Sequence, residues 1–174
     1  MQKGFATLEV IFATIIIAVL ISVAIPNAAH VIDRVELDYE TKKLYTDLKF
    51  VQSFDRMTNM KESHFNKNEE ANIVSVEFIS NIDNSKTSYT IKKRTNQTVY
   101  DNHPLPAGFI FSFDGTDDFS YIKFDDMGKP RAMNTPQNPN GKILDGHIRI
   151  NSRFGKDSCI FFNTVGRFHG EPKK

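Results

Sequence analysis

GFATLEVIFATIIIAVLISVAIPNAA, residues 4–29, is the stretch that decides the fold. Its only ionisable side chain is Glu9, and the run from Val10 to Ile25 carries no charge at all. As a helix, residues 5–29 would rise about 37 Å at 1.5 Å per residue, enough to cross a hydrocarbon slab about 30 Å thick. Lys3 and the starting amine lie on one side of the run, which predicts a cytoplasmic amino terminus. Everything after His30 is polar, charged and mixed, so the chain reads as an apolar rod with a soluble head.

Three ordinary readings compete for the rod. It could be a secretory signal peptide with Ser22-Val23-Ala24 as the cut site, a plain membrane anchor, or a buried core helix. A core helix is disfavoured because the run is apolar on all faces and too long. Glu9 counts against the other two, since a carboxylate among apolar residues is costly unless neutralised or paired. A cut between Gly4 and Phe5 would give Glu9 a purpose. The new amine, positive near neutral pH, could pair with Glu9 of a neighbouring copy and fix the axial register between subunits. Pro26 lacks an N–H and crowds the carbonyl of Ser22, so it either ends the helix there or kinks one that continues.

These residues resemble the class III prepilin motif of type IV pilin-like proteins. Gly4, Phe5 and Glu9 fall on that motif's cleavage glycine, first mature phenylalanine and fifth-position glutamate. Pro26 falls where such pilins carry a proline, in the same Ala-Ile-Pro context. The resemblance implies a leader over 1–4, cleavage by a prepilin peptidase after Gly4, N-methylation of Phe5 and a register-setting role for Glu9. It also implies residence in the cytoplasmic (inner) membrane with the head outside the cytoplasm, followed by incorporation into a pilus or pseudopilus. The leader here has four residues and a single Lys, short for the family but basic.

Beyond the rod (5–29), residues 30–61 lack Gly and Pro and are rich in Leu, Lys, Glu, Asp and Tyr, which predicts that the helix continues. Leu37, Leu44, Leu48 and Val51 recur at helical spacing. Phe50, Phe54 and Met57 make a second, adjoining row, and together the rows form an apolar face wide enough to pack on a sheet. From 62 to 174 the pattern changes to short period-two runs between Asn, Gly, Pro and Asp clusters. Val74-Val76-Phe78, Tyr89-Ile91, Phe109-Phe111-Phe113, Ile122-Phe124, Ile148-Ile150 and Ile160-Phe162 each share a face. Hairpin-scale connectors imply antiparallel pairing. The fold class is therefore α+β, a long amino-terminal helix against an antiparallel sheet or small sandwich. The segment from Asn134 to Gly141 reads as a loop.

The stretch from Leu44 to Asp55 is similar to the helix segment of the GspH/FimT group of minor pilins and pseudopilins, with its Leu-x-x-Asp-Leu-x-x-x-Gln pattern. Leu105-Pro106, Phe124-Asp125, Gly128 to Pro130 and Gly166-Arg167 extend that likeness into the head. The resemblance implies a minor pilin or pseudopilin serving a pilus, a type II secretion system or a competence apparatus. Its partners would be other pilin subunits. Some members of the group bind DNA through a carboxy-terminal Gly-Arg-x-Arg motif. Here Gly166, Arg167, Phe168 and His169 match it with histidine for the second arginine, so Arg167, His169, Lys173 and Lys174 are the candidate DNA contacts.

Composition narrows the alternatives. With 22 Lys+Arg against 21 Asp+Glu, the chain is no strongly basic nucleic-acid module, although local clusters such as Lys92-Lys93-Arg94 remain. One cysteine excludes an intrachain disulfide framework and a Cys-cluster zinc site. Cys159, within an apolar run, reads as an inert buried thiol. His30, His64, His103, His147 and His169 are scattered and predict no metal site. Asp114, Asp117, Asp118, Asp125 and Asp126 mark acidic turns whose default is solvation, with calcium as the rival. No nucleophile elbow or phosphate-cradling loop appears. The expectation is a structural subunit without catalytic residues, cofactor or metal, with an ordinary secreted enzyme or binding protein as the reading from another class.

Overall fold

The structure is a computed structural model that describes residues 3–62, 74–80, 83, 85–93, 99–114, 119–125, 127–134 and 141–172. A single helix, α1 (Lys3–Glu62), opens the chain and runs through Pro26. The chain divides into two compact units, Met1–Val35 and Glu36–Lys174. In the first unit, the large apolar side chains from Leu8 to Ile25 are each half or more exposed. The second unit contains the rest of α1 and ten strands: β1 (Val74–Ser80), β2 (Lys86–Lys93), β3 (Val99–Pro104), β4 (Ile110–Asp114), β5 (Tyr121–Phe124), β6 (Pro130–Met133), β7 (Lys142–Ile143), β8 (Gly146–Asn151), β9 (Asp157–Phe162) and β10 (Phe168–Pro172).

All pairings are antiparallel, and the sheet order is β10-β9-β8-β4-β2-β1-β5-β6-β7, with β3 off this path on β2. One edge of β2 is shared. β4 meets it only at Lys86↔Phe111, whereas β3 takes Ser88 to Lys92. The fold class is thus the expected α+β, with the part of α1 that follows Val35 packed on an antiparallel sheet.

The first predicted helix row is the one that packs. Leu44, Leu48 and Val51 are fully buried and Leu37 nearly so, against Val74, Val76, Phe78, Ile122, Phe124, Ile148, Ile150 and Ile160. Burying a side chain of this size contributes about 1.5–3 kcal/mol. The second row does not pack as expected. Phe50 is 46% and Met57 65% exposed, and only Phe54 leans on the core. The positions that widen the buried face are polar instead: Glu40, Thr41, Asp47, Gln52 and Asp55.

Three hairpin turns share one construction. Asp125, Ser152 and Asn163 each accept, on their main-chain oxygen, the N–H of a glycine three residues on: Gly128, Gly155 and Gly166. All three glycines have positive φ. A side-chain oxygen of the leading residue takes the next N–H, of Lys129, Lys156 and Arg167 respectively. The recurring pattern, a short polar residue, two variable ones, Gly and then Lys or Arg, is visible in the sequence once its spacing is known. Asp125 is accordingly a turn anchor, also paired with Arg131. Most of the Asn134–Gly141 loop lies outside the described residues, as do His64, Asp117, Asp118, Asp126 and the side chain of Asp114.

Candidate functional site

The rod has the chemistry of a membrane segment. An 18-residue window of α1 reaches a mean hydropathy of 2.8, and none of it is buried within the molecule. By length and composition this helix can cross a bilayer. Its hydroxyls turn back onto the helix: Thr14 Oγ1 donates to the Ile11 carbonyl at 2.8 Å and Ser22 Oγ to the Val19 carbonyl at 2.7 Å. Polar groups satisfied within the helix tolerate lipid. Glu9 is exposed and has no cation on its own segment from Val10 to Ala29. Gly4 and Phe5 lie within α1, but their side chains fall outside the described residues. The helix continues 36 residues beyond Pro26 to Glu62, so the proline does not end it.

In the head, Gln52 joins three elements. Its amide Nε2 donates to the Gly128 carbonyl at 2.7 Å and to the Gly166 carbonyl at 2.8 Å, tying the β5–β6 and β9–β10 turns to α1. The turns also touch each other: a Cβ on Gly166 would sit 2.5 Å from the Gly128 oxygen. Gly166 therefore needs both its positive φ and its missing side chain. Each residue of the Leu-x-x-Asp-Leu-x-x-x-Gln pattern has a task, since Leu44 and Leu48 fill the core and Asp47 accepts from Tyr89 Oη at 2.5 Å.

Asp55, 1% exposed, is the anchor that sequence reasoning missed. Its two oxygens accept the main-chain N–H of Val74 at 3.0 Å and of Phe124 at 3.2 Å. Burial pushes its carboxyl up to about 7, against the opposing pull of those N–H groups and of Lys123. The available signal was an acid at helical spacing within an apolar row, one turn after Val51.

A polar network binds α1 to β2 and β3. Lys43 Nζ bonds Asp47 and Asp101 at 2.8 and 2.7 Å, and Glu40 meets His103 at 2.6 Å. Burial pulls the Lys43 ammonium down, but the bonds to Asp101 and Asp47 outweigh it and hold it above its ordinary value. Burial, then the bond to Asp47, pushes the Tyr89 hydroxyl far up.

The candidate DNA contacts separate. Arg167 is exposed and forms no ion pair among the described residues, whereas His169 stacks on Phe161 at 5.5 Å, with His147 on the other side of that ring. Lys173 and Lys174 lie outside the described residues. Much of the basic carboxy-terminal region is spoken for: Arg149 pairs with Asp157 and Arg153 with Glu36. Lys92 pairs with Glu77. Around the Gln52 junction, however, Arg56 and Lys129 join Arg167 as cations without an ion pair among the described residues. Arg56 packs beside Gly128, and Lys129 Cα lies 3.3 Å from where a Gly166 Cβ would stand.

Cys159 is buried, and among the described residues no group of His, Cys, Asp and Glu is placed to hold a metal. Comparison of the chain with family models, with curated proteins and with solved structures finds no match in any of the three.

Proposed function

We propose that this chain is a minor pilin or pseudopilin, a non-enzymatic subunit of a type IV pilus, type II secretion or competence pseudopilus. A prepilin peptidase cuts after Gly4, Phe5 is N-methylated, and the helix moves from the cytoplasmic membrane into a bundle of like helices. Burial against other rods keeps its apolar surface out of water throughout. The observation that carries the reading is one carboxylate, Glu9, on a membrane-length helix that is exposed on every side and offers it no cation along the rod. Glu9 pairs with the Phe5 amine of an adjacent protomer and sets the register.

Mass spectrometry of the mature amino terminus tests this. Methyl-Phe5 is expected; an uncut Met1 in assembled fibres, or a start near Ile25, overturns it. Glu9→Val should insert into membrane as wild type does yet fail to enter fibres.

A second reading, DNA capture during uptake, is favoured by Arg56, Lys129 and Arg167, cations gathered at one junction with no ion pair among the described residues. Clustered cations bind phosphates with strong salt dependence. Titrating labelled duplex into the detergent-solubilised full chain should show a log K against log salt slope that drops by about 1 in Arg167→Ala. A slope unchanged in that variant, or no binding, removes this reading.

A further inference from the structure

We propose that the β8–β9 turn is a membrane-surface contact, with Phe154 and Lys156 seated in the headgroup layer of the bilayer that holds the rod. Such a contact presupposes the reading of the rod as a bilayer-spanning segment. Its first support is a difference among three turns of like construction. Each carries a large apolar residue directly before its glycine, Met127, Phe154 and Val165, and all three are exposed. The β5–β6 and β9–β10 turns are tied to α1 at Gln52. The β8–β9 turn is tied to α1 at Glu36, through Arg153. Glu36 and Gln52 lie 16 residues apart on α1, about 24 Å of helix, so the head presents its like turns at two different heights.

A turn anchored at Glu36 stays close to lipid by chain length alone. Glu36 follows Ala29, the last residue of the rod, by 7 positions. That tether is about 10 Å as helix and no more than about 25 Å fully extended. The headgroup layer reaches about 5–8 Å beyond the hydrocarbon on each side. As helix, the tether leaves a gap that a phenylalanine or lysine side chain spans.

The surface of this turn suits that layer. Phe154 is 44% exposed. Arg153 packs on Gly108, in a neighbouring turn whose stretch from Leu105 to Phe113 carries no charge. The Arg153 guanidinium lies over the Phe109 ring at 5.4 Å and pairs with Glu36, so its charge is met within the head. Lys156 donates its main-chain N–H to Ser152 Oγ, and its ammonium has no ion pair among the described residues. An apolar ring beside a cation is the chemistry of an interfacial contact: the ring settles at the acyl boundary and the ammonium meets phosphate. A nucleic acid would engage Lys156 but would give the Phe154 ring no apolar surroundings.

Because the chain contains no tryptophan, a single introduced one reports on its own site. Phe154→Trp, Val165→Trp and, in the rod, Val19→Trp are made in the full chain and reconstituted in bilayers of phosphatidylcholine and phosphatidylglycerol, with and without brominated acyl chains. Ser152 and Gly155 set the turn, not the ring between them, so Phe154→Trp keeps its fold. Its emission should lie to the blue of that from Val165→Trp and should lose intensity in brominated lipid, less than Val19→Trp loses, while Val165→Trp keeps its intensity. Adding Lys156→Glu to Phe154→Trp should weaken that loss. Quenching of Val19→Trp with none of Phe154→Trp overturns the membrane contact and leaves the rod reading standing. If neither is quenched, both are overturned. A blue shift of Phe154→Trp without quenching, growing with the ratio of protein to lipid, means that a second copy covers the turn, and it too overturns the contact.

Discussion

Asp55→Asn is the substitution whose consequence the structure defines most closely. One carboxylate accepts two main-chain N–H groups, from the start of β1 and the end of β5. Asparagine has the same shape but a single acceptor, so one N–H would face the new amide's own hydrogens. A buried donor left unmet costs about 1–3 kcal/mol. The native acid brings a different cost. Its carboxyl moves from 3.8 in the unfolded chain to about 7 in the folded one, because burial disfavours the charge. An acid with a raised folded value binds its proton more tightly when folded, so stability is greatest below the unfolded value and declines as pH rises toward 7. At about 1.4 kcal/mol per tenfold change in proton affinity, the full decline approaches 4 kcal/mol. The Asn variant lacks this decline. Wild type should be the more stable protein near pH 4 and the less stable one near pH 8, with the curves crossing between. Urea unfolding of the full chain in detergent, followed by tyrosine fluorescence because there is no tryptophan, measures both. Other carboxylates, such as Asp101, which its bond to Lys43 holds below its ordinary value, bend the two curves alike and cancel in the difference. A wild-type minus variant difference that stays constant from pH 4 to 8 would refute the reasoning.

The same assay checks the packing. Gly166→Ala sets a Cβ 2.5 Å from the Gly128 oxygen at a φ of +83, and should cost roughly 2–4 kcal/mol or separate the two turns. Leu48→Ala, at a fully buried site, should cost about 2–5 kcal/mol with no change in its pH dependence. Tyr89→Phe removes a hydroxyl from Asp47 while Lys43 remains, and should cost about 1–2 kcal/mol, visible as a lower unfolding midpoint at unchanged slope.

What the sequence showed and what it hid divide along physical lines. Period-two apolar runs found β1, β2, β4, β5, β8 and β9, because the large apolar residues of those runs, such as Val76, Ile91, Phe111, Ile122, Ile148 and Ile160, are the ones the core takes in. They did not find β3, which reads VYDNHP and is held by ions and one aromatic ring. They also missed β6, β7 and β10, which read PRAM, KI and FHGEP and hold no pair of large apolar residues two positions apart. The helix was legible from its apolar length and, over residues 30–61, from the absence of Gly and Pro, but its buried face differs from the one hydrophobicity predicts. Hydrophobicity assigns Phe50 and Met57 to that face, whereas Gln52 and Asp55 occupy it. Hydrophobicity cannot signal those two positions, since what qualifies them is the orphaned carbonyls and N–H groups that the strands and turns present. The same gap affects the DNA candidates. Arg167 was visible from its motif, but its company of Arg56 and Lys129 follows only from the meeting of two turns far apart in sequence.

The two stretches of α1 answer opposite demands with the same backbone. From Leu8 to Ile25 the helix offers its surroundings almost nothing to hydrogen-bond, and its hydroxyls are returned to its own carbonyls. Such a surface is indifferent to rotation and sliding, because apolar contact has no direction. One charge in that surface therefore carries more positional information than all the leucines and isoleucines around it. From Glu40 to Asp55 the apolar contacts supply most of the binding energy, but again they do not choose the alignment. Gln52 and Asp55 do so, since each is satisfied only when two partners stand at one height along the helix. A one-residue slip would leave four buried main-chain groups without partners, at about 1–3 kcal/mol each. The proposed pairing of Glu9 between protomers applies the same logic to a different interface: hydrophobic surface holds the helix in place, and a polar group within it determines which place that is.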